Sequence, residues 1–210
     1  MKFLFGLILS YLIGSMPTAY IFGRLYKGID IRQHGSGNVG ATNVFRVLGK
    51  WPGTIVLILD IFKGFLVTVF VSSLLGLESA WQLMGLALAV VSGHNWTIFL
   101  QFKGGKGIAT SLGVLIGLTV QIASIRPVLL LTLLTWIFSF LFTGFVSLSS
   151  ILASTVLPIA MVLTSQPFEI ICLGVIFSIF VVIRHRPNIK RLLSGQEPRT
   201  KTPFHKANKT

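Results

Sequence analysis

Three short stretches concentrate the residues able to do chemistry. The first, His34-Gly-Ser-Gly-Asn-Val-Gly-Ala-Thr-Asn-Val-Phe-Arg46, sets glycines at 35, 37 and 40 among hydroxyl and amide side chains. Those glycines let successive backbone N–H groups turn into one concavity, and Ser36, Asn38, Thr42 and Asn43 add donors, so the stretch predicts an anion cradle. With Thr42 or Asn43 as the cap of a short helix leading to Arg46, the helix N-terminus would add favourable partial charge for a phosphate. Taken alone, such a stretch reads more simply as a flexible turn-rich loop.

The second stretch, Gln101-Phe-Lys-Gly-Gly-Lys-Gly-Ile-Ala-Thr110, follows Ser92-Gly-His-Asn-Trp96. No glycine stands at 100 or 101 and no Ser or Thr follows Lys106, so it is not a nucleotide-binding Gly-x-x-x-x-Gly-Lys loop. Gly104, Gly105 and Gly107 alternating with Lys103 and Lys106 would let backbone amides and two ammonium groups close on an anion, with Thr110 beginning the next helix. Lysines meeting lipid headgroups account for the loop by itself equally well.

The third stretch is Arg184-His-Arg-Pro-Asn-Ile-Lys-Arg-Leu-Leu-Ser-Gly-Gln-Glu-Pro198. Pro187 disfavours helix at Arg186, so the preceding helix should end near His185 and leave that imidazole at the membrane surface. A short helix beyond it would turn Asn188 and Arg191 to one side, and Glu197 is expected to bind an arginine. Asp60 and Lys63, one helical turn apart in an apolar run, are expected to neutralise each other, ahead of a direct substrate role for Lys63. The hydroxyls of Ser147, Ser149 and Ser150 are explained by helix capping, with lining of the site as the alternative. No Cys/His or carboxylate cluster has metal-ligand spacing, so neither metal nor cofactor is expected.

The elements that must position these stretches are membrane helices. Of 210 residues, 53% are hydrophobic and 11% charged, more apolar surface than a soluble core of this length needs. Runs at 3–23, 52–75, 80–97, 107–124, 127–143, 149–164 and 168–184 predict an all-α, polytopic integral membrane helix bundle of seven transmembrane helices, each needing about 20 residues. The first run exceeds a typical signal core and lacks a clear small-x-small cleavage site. Net charge is +13, yet fifteen of 18 Lys and Arg fall in segments 24–50, 98–106 and 184–210. The seven-helix count puts those segments on one side, as does a five-helix count that merges or omits the pair between 127 and 164. The charge therefore reads as membrane topology and not as a nucleic-acid surface: N-terminus outside, C-terminus cytoplasmic. Trp51, Trp81 and Trp96 suit interfacial anchoring, Trp136 suits packing, and the single Cys172 suits a small core residue. Residues 1–198 are expected to form the membrane domain and 199–210 a polar basic tail, partly disordered.

Gly35-Ser-Gly-Asn-Val-Gly-Ala-Thr-Asn-Val-Phe-Arg46, Gly93-His94 with Phe102-Lys-Gly-Gly-Lys-Gly-Ile-Ala-Thr110, and His185-Arg-Pro-Asn-Ile-Lys-Arg-Leu-Leu-Ser-Gly-Gln-Glu197 together resemble the bacterial acyl-phosphate:glycerol-3-phosphate acyltransferases, the PlsY family. Order and spacing match over nearly the whole chain. Thr97 stands where the family commonly has proline, and Pro187 occupies a variable position. The resemblance implies transfer of a fatty acyl group from acyl-phosphate to the 1-hydroxyl of sn-glycerol 3-phosphate, giving lysophosphatidic acid and phosphate. It implies Ser36, Arg46, His185 and Asn188 as the catalytic group. It also implies Lys103, Gly104, Gly105, Lys106 and Gly107 as the glycerol-phosphate site, beside the cradle residues Gly37, Asn38, Gly40, Thr42 and Asn43. Phospholipid synthesis at the bacterial inner membrane, a cytoplasmic-side site and a functional link to an enzyme making acyl-phosphate follow from it.

The residue chemistry agrees. Two phosphorylated substrates, one carrying an acyl chain, need anion-binding loops at helix ends beside a hydrophobic slot. None of His34, His94, His185 or His205 has an aspartate five residues on, so the His-x-x-x-x-Asp pair of other glycerolipid acyltransferases is missing. Either His185, oriented by neighbours such as Asn188, or a substrate phosphate oxygen would take the hydroxyl proton. A transporter of phosphorylated metabolites is the rival reading, disfavoured by the gathering of polar residues at one face. A structural membrane protein with lipid-binding loops leaves the combined spacing unexplained.

Overall fold

The computed structural model describes residues 1–205, and all regular structure among them is helical. The chain forms two compact units, Met1–Ile122 and Ala123 onward. The expected tail residues 206–210 lie outside the described residues.

In the first unit, α1 (Lys2–Ser15) and α2 (Thr18–Lys27) make one apolar run broken at Met16-Pro17. Proline has no N–H to donate and pushes the residue before it out of helical geometry; Met16 has ψ 114°. A 3-10 turn, Ile31–Gln33, leads to the first glycine-rich loop and then to α3 (Ala41–Leu48). A long helix follows: α4 (Lys50–Leu66), a π-helical stretch Val67–Val71, and α5 (Ser72–Leu75). The Nε2 of Gln121 donates to the Thr68 carbonyl inside that π stretch, at 3.4 Å, so a partner serves a backbone group loosened by the wider turn. The helix α6 (Ala80–Asn95) starts in a Ser79/Gln82 capping box, and α7 (Ile108–Gln121) starts at Gly107.

The helices pair as α1 with α6 and α4 with α7. Glycine at the contact lets backbones approach: a Cβ on Gly113 would collide with the Ile61 carbonyl, and one on Gly64 with that of Thr110. Beneath the first glycine-rich loop, Ala19, Ile31, Val39, Val44, Leu48, Val56 and Leu100 form a buried apolar cluster. In the second unit, α8 (Arg126–Thr143), α9 (Val146–Leu163) and α10 (Phe168–Arg184) are followed by the short α11 (Arg186–Leu193).

Among the described residues, five segments are long and apolar enough to cross a membrane: Lys2–Lys27, Lys50–Leu75, Ala80–Leu100, Ala123–Thr143 and Val146–Leu163. A sixth is α10 with α11, bent by 60°. The expected span 107–124 is instead a helix of 14 residues, about 21 Å long against a hydrocarbon core of about 30 Å.

Residues 199–205 dock on the end of α8. Thr200 N–H donates to the Gly144 carbonyl at 2.9 Å, Thr202 Oγ1 to that of Leu141 at 3.0 Å, and the His205 ring bonds the Phe142 carbonyl. The Arg199 guanidinium lies 4.7 Å from the centre of the Phe145 ring. The carbonyls left open where α8 ends account for this docking.

Candidate active site

The first loop is closed by Asn43. Its Oδ1 accepts from Ser36 N–H at 2.8 Å, and its Nδ2 donates to the carbonyls of Ile31 and His34 at 3.2 and 3.0 Å. Gly35 and Gly37 take left-handed φ of 61° and 69°, and a Cβ on Gly35 would overlap the Asn43 amide. This corrects the expected cap. Gly40 is the N-cap of α3, its carbonyl accepting from Asn43 and Val44, so Thr42 and Asn43 lie inside the first turn. On α3, Asn43, Val44 and Leu48 are buried, while Thr42 and Arg46, four residues apart, are exposed on one face. Ser36 is exposed, and Asn38 is half-buried. Asp30 opens the preceding turn, accepting from Arg32 N at 3.0 Å and forking onto its guanidinium at 2.7–3.2 Å. The Arg32 hydrogen bond outweighs burial and holds the Asp30 carboxyl at about 2.

The second loop leans on the end of α6. Gly104 N–H donates to the Asn95 carbonyl at 3.2 Å and Gly105 N–H to that of His94 at 3.0 Å. Those two amides therefore serve the helix end and do not turn onto an anion as expected. Lys103 is exposed and Lys106 half-buried, and Gly107, with φ 78°, is the N-cap of α7. Thr110 lies in the first turn of α7, which begins at Ile108. A Cβ on Gly104 would meet the Asn95 backbone, and one on Gly105 the His94 ring and the Val39 carbonyl. Gly105 thus joins the second loop to the first. Gln101 and Phe102 enter this loop with φ of 54° and 60°, unusual for non-glycine residues and costing about 1–3 kcal/mol each. Thr97, at the family's proline position, donates to the Ser15 carbonyl at 2.5 Å and accepts from Phe99 N–H at 3.3 Å. A cavity of about 10 Å³, lined by Met16, Thr18, Val39, His94, Gly104 and Gly105 among others, lies where both loops meet the break in the first span.

Beneath that junction Asp60 and Lys63 pair as expected, at 2.7 Å. Sequence reasoning missed their company: Thr18 Oγ1 donates to Asp60 Oδ1 at 2.6 Å, and Lys63 Nζ donates to the Met16 carbonyl at 2.6 Å. It also missed Asn95, whose buried side-chain amide lies against Gly107 with no hydrogen-bond partner among the described residues, as does the buried Thr110 hydroxyl. A small polar residue inside an apolar helix was the available signal.

In the second unit, α10 ends at Arg184 as Pro187 implies, but Arg186 starts α11 instead of leaving helix. Proline in a first turn forfeits no helical bond. His185 is buried, 3% exposed, at the junction of α10 and α11. Its Nδ1 is 2.8 Å from the Val181 carbonyl. A carbonyl can only accept, so Nδ1 carries the proton and Nε2 the lone pair of the neutral ring. Glu197 is the organiser of this region: its Oε1 accepts from Asn188 Nδ2 at 2.6 Å and Ser147 Oγ at 2.7 Å, its Oε2 from Arg191 Nε at 2.7 Å. Burial pushes its carboxyl up, but the bonds from Asn188, Ser147 and Arg191 outweigh that and hold it below the usual range. The serines do not cap α9. Ser147 reaches Glu197, while Ser149 and Ser150 donate back to the carbonyls of Phe145 and Val146. Trp136, expected to pack, stacks on Phe140 and donates to Ser150 Oγ at 3.2 Å.

The chain matches the family described as glycerol-3-phosphate acyltransferase over residues 4–195. It is 42% identical over 196 residues to the glycerol-3-phosphate acyltransferase of Gloeobacter violaceus, covering 92% of this chain and 93% of that one. To the protein of the same name from Staphylococcus haemolyticus it is 45% identical over 203 residues, covering 93% and 96%. Two crystal structures of PlsY (YgiH), an integral membrane glycerol 3-phosphate acyltransferase, share its fold at 39% identity. The glycerol 3-phosphate form has TM-score 0.86 and covers 96% of both chains; the lysophosphatidic acid form has TM-score 0.83 and covers 96% and 97%. The chain is an all-helical, multi-pass membrane protein and belongs to the glycerol-3-phosphate acyltransferase family.

Proposed function

We propose that the protein transfers a fatty acyl group from acyl-phosphate to the 1-hydroxyl of sn-glycerol 3-phosphate, releasing lysophosphatidic acid and inorganic phosphate. The observation that carries this reading is the likeness, over 96% of the chain, to a PlsY solved with glycerol 3-phosphate and with lysophosphatidic acid, acceptor and product of one reaction. Acyl-phosphate as donor follows the family resemblance of the three motifs. Its phosphate is already a good leaving group, so the protein need only orient the hydroxyl, stabilise negative charge on the carbonyl oxygen and hold the departing phosphate.

In this reading Lys103 and Lys106 hold the phosphate of glycerol 3-phosphate at the start of α7, and Gly104, Gly105 and Gly107 shape the turn that presents them to it. Gly37, Asn38, Gly40, Thr42 and Asn43 shape and line the first loop. Ser36 and Arg46 contribute donors to the acyl-phosphate, with Arg46 suited to a phosphate by its planar fork. The 1-hydroxyl oxygen attacks the acyl carbon and its proton passes to His185 Nε2 or to a phosphate oxygen; the carbon–oxygen bond to phosphate then breaks, and the phosphate leaves with that electron pair. Asn188 orients the group that receives the proton. The step balances with no metal or cofactor.

The same reading places seven spans in the bacterial inner membrane, with the short α7 and the bent α10–α11 pair each counted as one, the N-terminus outside and the motifs on the basic cytoplasmic side. Residues 1–198 act as the acyltransferase domain, and an enzyme that makes acyl-phosphate supplies the donor.

The test is purified protein with labelled glycerol 3-phosphate and either acyl-phosphate or acyl-CoA. Lysophosphatidic acid formed from acyl-phosphate alone is expected. Product from acyl-CoA alone overturns the donor, and uptake of glycerol 3-phosphate into sealed vesicles without product overturns the enzyme reading in favour of transport.

A further inference from the structure

We infer that Thr18, Asp60 and Lys63, acting through His94, are positioning residues that set the placement of the 103–107 loop. The inference deepens the proposed function and rests on it, because that loop is where the phosphate of glycerol 3-phosphate is held. Four polar side chains from three helices meet in an apolar surround, none more than 8% exposed: Thr18 on α2, Asp60 and Lys63 on α4, His94 on α6. A buried ion pair is weak evidence for stability, since well-packed apolar residues often replace one at no loss, so its geometry must be asked for another use.

The geometry is a clasp on the broken first span. Lys63 Nζ donates at 2.6 Å to the Met16 carbonyl, which also accepts from Thr18 N–H at 3.0 Å, and the Thr18 hydroxyl, just beyond Pro17, donates to Asp60 at 2.6 Å. Both sides of the break are thereby tied to one turn of α4. Three bonds tie the same region to the end of α6: Tyr11 Oη to the Trp96 carbonyl at 2.8 Å, Thr97 Oγ1 to that of Ser15 at 2.5 Å, and Ser15 Oγ to that of Gly93 at 3.4 Å. The His94 ring then spans from this clasp to the loop. Its Nδ1 is 3.7 Å from Asp60 Oδ1, while its Nε2 lies where a Cβ on Gly105 would sit. The His94 carbonyl holds Gly105 N–H as well. Contact therefore runs from Asp60 through His94 to Gly105, next to Lys106 and the start of α7. None of the four residues is assigned a contact with substrate.

The experiment compares the wild type with Asp60→Asn, Lys63→Met, the double variant and Thr18→Val in detergent. Each single charge variant should lose thermal stability, because it leaves one buried ion unpaired, and the double variant should regain most of it. If the cluster positions the loop, the double variant keeps a KM for glycerol 3-phosphate raised about tenfold, the worth of one lost hydrogen bond to a charged group, with KM for acyl-phosphate within about twofold of wild type. Thr18→Val removes one hydrogen bond to the Asp60 carboxylate and should move the same KM in the same direction, with a smaller loss of melting temperature than either single charge variant. A double variant with both KM values near wild type, or with both raised in parallel, overturns the inference. Thermal upshift by glycerol 3-phosphate separates the two readings: upshift in the wild type but not the double variant, without product, sinks acyl transfer and keeps the positioning role. No upshift and no product in the wild type overturns both.

Discussion

At the scale of single residues, His185 carries the sharpest question. Its Nδ1 is committed to the Val181 carbonyl, so in the neutral ring Nε2 is the nitrogen that carries no hydrogen, the tautomer a general base at Nε2 needs. If His185 takes the proton, His185→Ala should lower kcat by at least about 100-fold with little change in KM for either substrate, read in the labelled-product assay. Turnover near wild type would assign the proton to a substrate phosphate oxygen. Asn188 is less free to choose a partner than its sequence position implies, since Glu197 takes its Nδ2 at 2.6 Å. Its role is therefore tied to a carboxylate that also holds Ser147 and Arg191.

At the scale of elements, each motif is a loop made rigid by borrowed hydrogen bonds. The first begins in the Ile31–Gln33 turn, where the bidentate Arg32–Asp30 pair is backed by the Tyr20 ring, 5.2 Å from the Arg32 guanidinium. Because the folded Asp30 carboxyl sits at about 2 against an ordinary value of 3.8, its ionised form is favoured by folding. That contribution is fully present above the ordinary value and disappears as pH falls through it towards the folded value. Thermal unfolding in detergent between pH 6 and about pH 2 should show this acid loss in the wild type and a shallower one in Asp30→Asn. Equal slopes in the two proteins would remove the turn from the account of stability. The second loop borrows from α6 and the third from Glu197, so neither depends on its own glycines alone.

At the scale of the whole molecule, the basic segments and the motifs coincide in sequence, and the proposed topology follows from that coincidence. With Cys172 replaced by alanine, a membrane-impermeant thiol reagent should label Glu78→Cys in intact cells. Ser194→Cys should be labelled only when the cytoplasmic side is opened. The reverse pattern, or labelling of both from one side, would overturn the orientation and move the motifs to the wrong compartment for a cytoplasmic phosphorylated substrate.

The sequence by itself determined that the protein is helical and lives in a membrane, since apolar runs of spanning length admit few other solutions. It also determined the family, through three spaced motifs, the Asp60–Lys63 pair one turn apart, and the end of the helix before His185. Tertiary structure alone decided who partners whom. Asn43 closing the first loop, Gly104 and Gly105 giving their amides to α6, and Glu197 gathering Asn188, Ser147 and Arg191 all join residues that local pattern treats separately. The run 3–23 reads as one unbroken span, and only the structure breaks it before Pro17 and ties the break to Lys63, 47 positions from Met16. Periodicity reports which face of a helix is apolar; it carries no information on which buried polar atom will find which other, because that depends on how helices far apart in sequence are brought side by side.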